Sequence, residues 1–116
     1  MPGATAVTVK VVSNRLPQLP SMVKTALNSE VAKAAHEIEA QAKVNAPVRT
    51  GTLRRSIHTV IEQGGQRAVI GPSVEYGFYV EYGSRGRAPQ PFMRPAAEAV
   101  LPRFATGVKV ALAGLK

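Results

Sequence analysis

The chain contains no cysteine, no aspartate and no tryptophan. Without cysteine there is no disulfide framework, no thiolate metal site and no cysteine nucleophile, and the composition is compatible with a reducing compartment. Without aspartate, all seven acids are glutamates, which removes half of the usual stock for paired-carboxylate chemistry. Aromatic residues make up only 5% of the chain, three Tyr and three Phe, so each is worth placing individually. No apolar run approaches the ~18 residues that a membrane span needs. Met1-Pro2-Gly3-Ala4 lacks the basic and apolar stretches of a secretory signal. The expectation is a protein that is cytosolic at synthesis and has no membrane partner.

What is present is a chain of 116 residues, enough for one domain spanning 1–116 with a modest core. Its 45% hydrophobic and 19% charged residues read as globular. The formal net charge is +8, from 15 Lys and Arg against 7 acids. A balance this basic points to a polyanionic neighbour, nucleic acid being the usual one, although it also serves plain solubility. Arg49, Arg54, Arg55, Arg67, Arg85 and Arg87 concentrate in the middle of the chain, offset only by Glu62, Glu75 and Glu81.

Hydrophobic periodicity sets out the elements. Residues 5–12 are rich in β-branched side chains and alternate loosely, with Val7, Val9 and Val11 on one face, as a first strand does. Pro17 and Pro20 bracket a connector, and Ser21 or Pro20 marks a helix start. From 22 to 46, Val23, Leu27, Val31, Ala34, Ala35, Ile38 and Ala42 recur at helical spacing as one buried stripe. Lys33 and Glu37 are spaced to pair, and Asn45 and Pro47 end the helix.

Residues 53–62 change to period two, with Leu53, Ile57, Thr59 and Ile61 on one face. Gly64-Gly65 supplies a turn and 67–70 the returning strand, a β-hairpin. Residues 76–82 form an aromatic knot that fits a helical turn or a strand, the reading preferred being a short helix running into Gly83. Residues 84–90 read as an exposed basic loop. A second helix starts at Pro91 or Pro95 with a stripe of Ala97, Leu101, Phe104, Val108 and Leu112, and Pro102 predicts a kink or restart. The order β-α-β-β-turn-α makes an α+β fold: a small antiparallel sheet with a hairpin, packed by a long N-terminal helix and a C-terminal helix.

Catalytic and metal signatures are missing. His36 and His58 have no zinc spacing, no Gly-x-Ser-x-Gly elbow exists, and Glu37 and Glu39 point to different helix faces. The glycine pairs lack a phosphate-loop context. No cofactor, metal or catalytic residue is expected. Glu81 is the one acid inside an apolar, aromatic segment, where a carboxylate is costly unless paired. It is expected to form an ion pair with Arg94 or Arg55 that fixes the aromatic knot against the sheet.

Three phrases carry a resemblance. They are Ala46-Pro47-Val48-Arg49-Thr50-Gly51-Thr52-Leu53-Arg54-Arg55-Ser56-Ile57, then Tyr79-Val80-Glu81-Tyr82-Gly83-Ser84, then Pro89-Gln90-Pro91-Phe92-Met93-Arg94-Pro95-Ala96. In this order they resemble the "gp ten-like" tail-component family of long-tailed, non-contractile phages and their prophages. Tyr82, Ser84 and Met93 stand where that family more often has Phe, Thr and Leu.

The motif residues are Pro47, Thr50, Gly51, Leu53, Arg55, Tyr79, Glu81, Gly83, Pro91, Phe92, Arg94 and Pro95. Tyr79, Tyr82 and Phe92 would fill the space between sheet and helices, and Pro91 and Pro95 would constrain the start of the last helix. The resemblance implies a virion structural protein at the head–tail neck, assembled in the host cytoplasm. It implies a ring, six copies at family level, that joins or completes the tail around the DNA channel. Neighbouring neck, connector and tail-tube proteins would be its partners, with double-stranded DNA close by. Arg49, Arg54, Arg67, Arg85 and Arg87 are the candidates for DNA-channel or subunit contacts. The competing reading is a small basic nucleic-acid-binding module, whose isolated monomer would bind free DNA with steep salt dependence.

Overall fold

A computed structural model describes residues 6–10, 19–47, 51–74, 77–83, 86 and 88–113, apart from the side chains of Lys10 and Phe78. The order is β1 (Val7–Lys10), α1 (Ser21–Asn45), α2 (Thr52–Ser56), β2 (His58–Glu62), β3 (Arg67–Gly71), α3 (Gly77–Tyr82) and α4 (Met93–Ala113). The fold is α+β, with the long helix, antiparallel sheet, hairpin and closing helix in the sequence-predicted order.

The strands form one antiparallel sheet in the order β1-β3-β2. The hairpin register sets Val60 opposite Val69 and Glu62 opposite Arg67, while Val9 faces Ala68 on the other side of β3. Side chains alternate across the sheet. Val9, Ala68 and Ile70 point into the helical layer and are buried, whereas Thr8, His58 and Val60 are exposed on the opposite face. Among the described residues, helices therefore cover one face of the sheet only. The hairpin turns through Gln63, Gly64 and Gly65, all with positive φ, and Asn28 of α1 donates to the Gly64 carbonyl at 3.1 Å.

α1 buries Val23, Leu27, Val31, Ala34, Ala35, Ile38 and Ala42, the seven residues of the predicted stripe. Its start differs in detail. Pro20 occupies the cap position without a side-chain bond, and its carbonyl accepts from Val23 and Lys24, each at 3.0 Å. Ser21 is the first helical residue rather than the cap. Glu37 pairs with Arg103 of α4 at 3.3 Å, not with Lys33, because α4 brings the guanidinium across the helix interface.

The predicted strand from residue 53 begins only at His58. Thr52–Ser56 is a helical turn that starts at Gly51, whose φ of 74° is left-handed; the Arg55 N–H donates to the Gly51 carbonyl at 3.0 Å. Leu53 and Ile57 are both buried, as the alternation required. A separation of four fits a strand face and a helical turn equally well, so burial at these two positions did not distinguish the conformations. Thr59 and Ile61 lie on the helix-facing side of the sheet, yet Ile61 is 46% exposed because it sits on an edge strand.

α4 runs through Pro102 as one helix, so of the expected kink or restart the restart does not occur. Its buried row is Met93, Ala96 and Val100, one position away from the expected Ala97 and Leu101. Phe104 packs against the core half-buried, while Leu101 and Leu112 are 40% and 39% exposed. Both rows are apolar and adjacent on the helix, so periodicity gave an arc wider than α1 covers. The anchoring of the first turn of α4 selects which half of that arc is buried.

Candidate functional site: the joint between α3 and α4

Described residues of the three phrases share one core cluster: Ala46, Leu53 and Ile57 from the first and Phe92, Met93 and Ala96 from the third, with Val80 of the second packed against it. Ala46, which follows α1, is buried and its N–H donates to the Ala42 carbonyl at 2.9 Å; Pro47 is half-buried beside it. Gly51 and Leu53 belong to the α2 turn. Gly77 at the head of α3 has no room for a side chain: a Cβ there would lie 2.8 Å from the Pro72 ring and 3.4 Å from Leu53. α3 ends at Gly83, whose φ of 83° suits a left-handed helix stop and whose N–H donates to the Tyr79 carbonyl at 2.8 Å. The chain then returns alongside α3, the Gln90 N–H donating to the Val80 carbonyl at 2.8 Å.

Glu81 is the centre of this joint. It is 4% exposed. Its Oε1 accepts the N–H of Phe92 at 3.0 Å and of Met93 at 2.9 Å, and its Oε2 accepts the N–H of Arg94 at 3.2 Å. A helix leaves its first four N–H groups without intrahelical partners. Here three of them are taken by one carboxylate, and the fourth position is Pro95, which has no N–H. A negative charge at this end also meets the positive end of the helix dipole. Asn45, the last residue of α1, completes the clamp by donating from Nδ2 to the Phe92 carbonyl at 3.3 Å, and Phe92 is fully buried.

The expected ion pair of Glu81 with Arg94 or Arg55 is therefore replaced by backbone hydrogen bonds. Arg94 is exposed and reaches Glu98 at 3.6 Å instead. Physically, a helix N-terminus supplies free N–H donors and a positive potential of about half a unit charge, with no side chain to order. The sequence signal, an acid in an apolar segment, marked the right residue but not the partner; Pro95 in the first turn was the clue to it. Asn45 was read only as a helix stop, and Gly77 gave no sequence signal at all.

Tyr79 and Tyr82 do not fill the interior as expected. Each is 56% exposed. Sinking Glu81 between them turns both rings outward, because one helical face cannot carry all three residues inward. Tyr76 lies outside the described residues.

The arginines do not form one described patch. Arg54 is half-buried and Arg55 exposed on α2. Arg67 sits at the far end of the hairpin, ion-paired to Glu62 at 2.9 Å, about 13 Å along the strand from the α2 end at ordinary strand rise. Arg49, Arg85 and Arg87, and with them Thr50, lie outside the described residues. Pro91 and Pro95 are exposed.

The remaining described glutamates are dispersed. Glu39 of α1 accepts from Thr59 Oγ1 of β2 at 2.7 Å and pairs with Lys43 at 3.1 Å. Burial pushes its carboxyl up, but the hydrogen bonds from Thr59 and Lys43 and the charges of Lys43 and His36 outweigh that and hold it below its ordinary 4.5. Among the described residues, no three His or Glu gather as a metal would require, and no helix is long and apolar enough to cross a membrane.

The joint thus locks α3 to α4 through Glu81 and leaves Tyr79 and Tyr82 at its surface. The chain belongs to the phage family described as "Bacteriophage HK97-gp10, putative tail-component", whose profile matches residues 10–83. No curated protein and no solved structure matches the chain.

Proposed function

We propose that this protein is a non-catalytic structural subunit of a bacteriophage head–tail junction. In this reading residues 1–116 act as one domain, and six copies form a ring that joins or completes the tail at the neck. The ring is assembled in the host cytoplasm and retained in the virion. It encircles the DNA channel without sequence readout, and it contacts neck or connector proteins on one side and the tail tube on the other. Arg49, Arg54, Arg67, Arg85 and Arg87 are its candidates for channel or subunit contacts.

The observation that carries this beyond family membership is the outward display of Tyr79 and Tyr82 from a rigid joint. Tyrosine is enriched at protein interfaces because it combines apolar area with a polar tip, and a clamp such as Glu81 holds both rings on a fixed frame. A ring built from such contacts is heterologous and closes on itself.

The test is to mix the purified protein with its neighbouring tail-tube protein and examine the mixture by light scattering and electron microscopy. Closed rings, or rings capping one tube end, are expected, and Tyr79→Ala/Tyr82→Ala should abolish capping while melting normally. A persistent monomer that ignores the tube and binds free DNA with steep salt dependence would replace this reading with the nucleic-acid module.

A further inference from the structure

The open edge of β2 is the part of the fold least explained by the joint. Among the described residues β2 has a strand neighbour on one side only, β3. Its two central hydrophobic residues face opposite sides of the sheet, and both remain exposed: Val60 at 45% on the uncovered face and Ile61 at 46% on the helix-facing side. Proteins usually blunt such an edge with a lysine, a proline or a bulge inside the strand. His58-Thr59-Val60-Ile61-Glu62 has no lysine and no proline, and its one charged residue, Glu62, sits at the strand end bonded to Arg67 of the neighbouring strand. The other edge strand, β1, differs: its central Val9 is already buried.

We infer that β2 pairs antiparallel with β2 of a second copy of this chain, across a two-fold axis through Val60. The strand sequence is complementary to itself in that register. Val60 meets Val60, Thr59 meets Ile61 twice on the helix-facing side, and His58 meets Glu62 twice on the other. This is the one antiparallel register in which all five residues find a partner. It sets an imidazole against a carboxylate at both ends and never a charge against its like, which favours cross-strand pairing. The side chain of Glu62 stays 41% exposed while bonded to Arg67. The product is a continuous six-stranded sheet in the order β1-β3-β2-β2-β3-β1, with both exposed edge residues covered. The contact is isologous and independent of the proposed ring, which needs a heterologous one.

The test is the mass of the full chain in solution by sedimentation equilibrium, across a range of concentration. The wild type is expected to reach twice its 12.3 kDa. Val60→Lys places two ammonium groups on the axis and should leave a monomer with an unchanged melting curve, since Val60 is half in solvent already. His58→Glu, which sets a new carboxylate against that of Glu62 at both ends, should weaken the dimer about tenfold, and His58→Lys should not weaken it. A wild type that stays monomeric at every concentration, or a Val60→Lys dimer, overturns the inference. A wild type that forms rings and keeps them intact as Val60→Lys also overturns it, while leaving the ring reading standing. Loss of the dimer in Val60→Lys with tube capping preserved supports both.

Discussion

Where α4 begins, the N–H groups of Phe92, Met93 and Arg94 all meet Glu81, and Phe92, Met93 and Ala96 are shut away from water. Where it ends, Val110 and Leu112 are exposed and the helix lies on α1 with only half-buried residues such as Phe104, Gly107 and Val108. The two halves belong to the same helix and face the same partner, yet they are held differently. The first is fixed by hydrogen bonds of defined geometry and dense packing. The second relies on a partly exposed Glu37–Arg103 pair and on close approach at Gly107. The described residues of the three sequence phrases pack at the first half or beside it, Ala46, Leu53, Ile57, Phe92, Met93 and Ala96 sharing one core cluster with Val80 packed against it. That half therefore sets the rotation and direction of α4, and the second half follows.

The contrast can be broken most sharply at Phe92. Phe92→Ala leaves a cavity at the joint and is expected to cost about 4 kcal/mol in urea unfolding. A loss below about 1 kcal/mol would mean that the joint is not the better-packed half. Next comes Glu81→Ala, which strands three N–H groups and removes the charge from the helix start. The expected loss is about 3 kcal/mol, and Glu81→Gln, which keeps one acceptor oxygen, should lose less. If Glu81→Ala melted like the wild type, the hydrogen-bond account of the joint would fail.

The distal half should respond in the opposite direction. At Gly107 a Cβ would meet the carboxylate of Glu30, the movable end of a flexible side chain on a half-buried residue. Gly107→Ala should therefore gain about 0.5 kcal/mol from helix propensity. A marked loss instead would show that the distal interface is as tightly fitted as the joint.

The smallest effect is expected at Glu39, which ties α1 to β2 through Thr59, away from α4. Its folded-state carboxyl is held below the ordinary 4.5, so it adds stability above that pH. This contribution is lost as pH falls through the lower, folded value. Thr59→Val removes one of the bonds that hold the carboxyl down and should flatten the acid limb of a stability–pH curve. An unchanged limb would show that Lys43 and His36 suffice.

Much of this arrangement was legible in the amino-acid sequence. The buried stripe of α1, the hairpin with its Gly64-Gly65 turn, the short helix ending at Gly83 and the importance of Glu81 each follow from local rules: helical spacing, glycine at positive φ, and the cost of a buried charge. What only the tertiary structure decided were choices between locally equal options. Leu53 and Ile57 satisfy a strand and a turn alike, and Gly51 in the left-handed region selects the turn. Two adjacent apolar rows on α4 could each have been the buried one, and the bonds from Phe92, Met93 and Arg94 to Glu81 select Val100 over Leu101. Glu81 needed a positive partner, and the backbone of a helix 11 residues further on supplied it in place of an arginine. Tyr79 and Tyr82 looked like core because aromatics are large and apolar, but a helix that turns Glu81 inward must turn them out. Periodicity fixes which residues share a face; which face meets the rest of the chain depends on contacts far apart in sequence, and those exist only once the fold has closed.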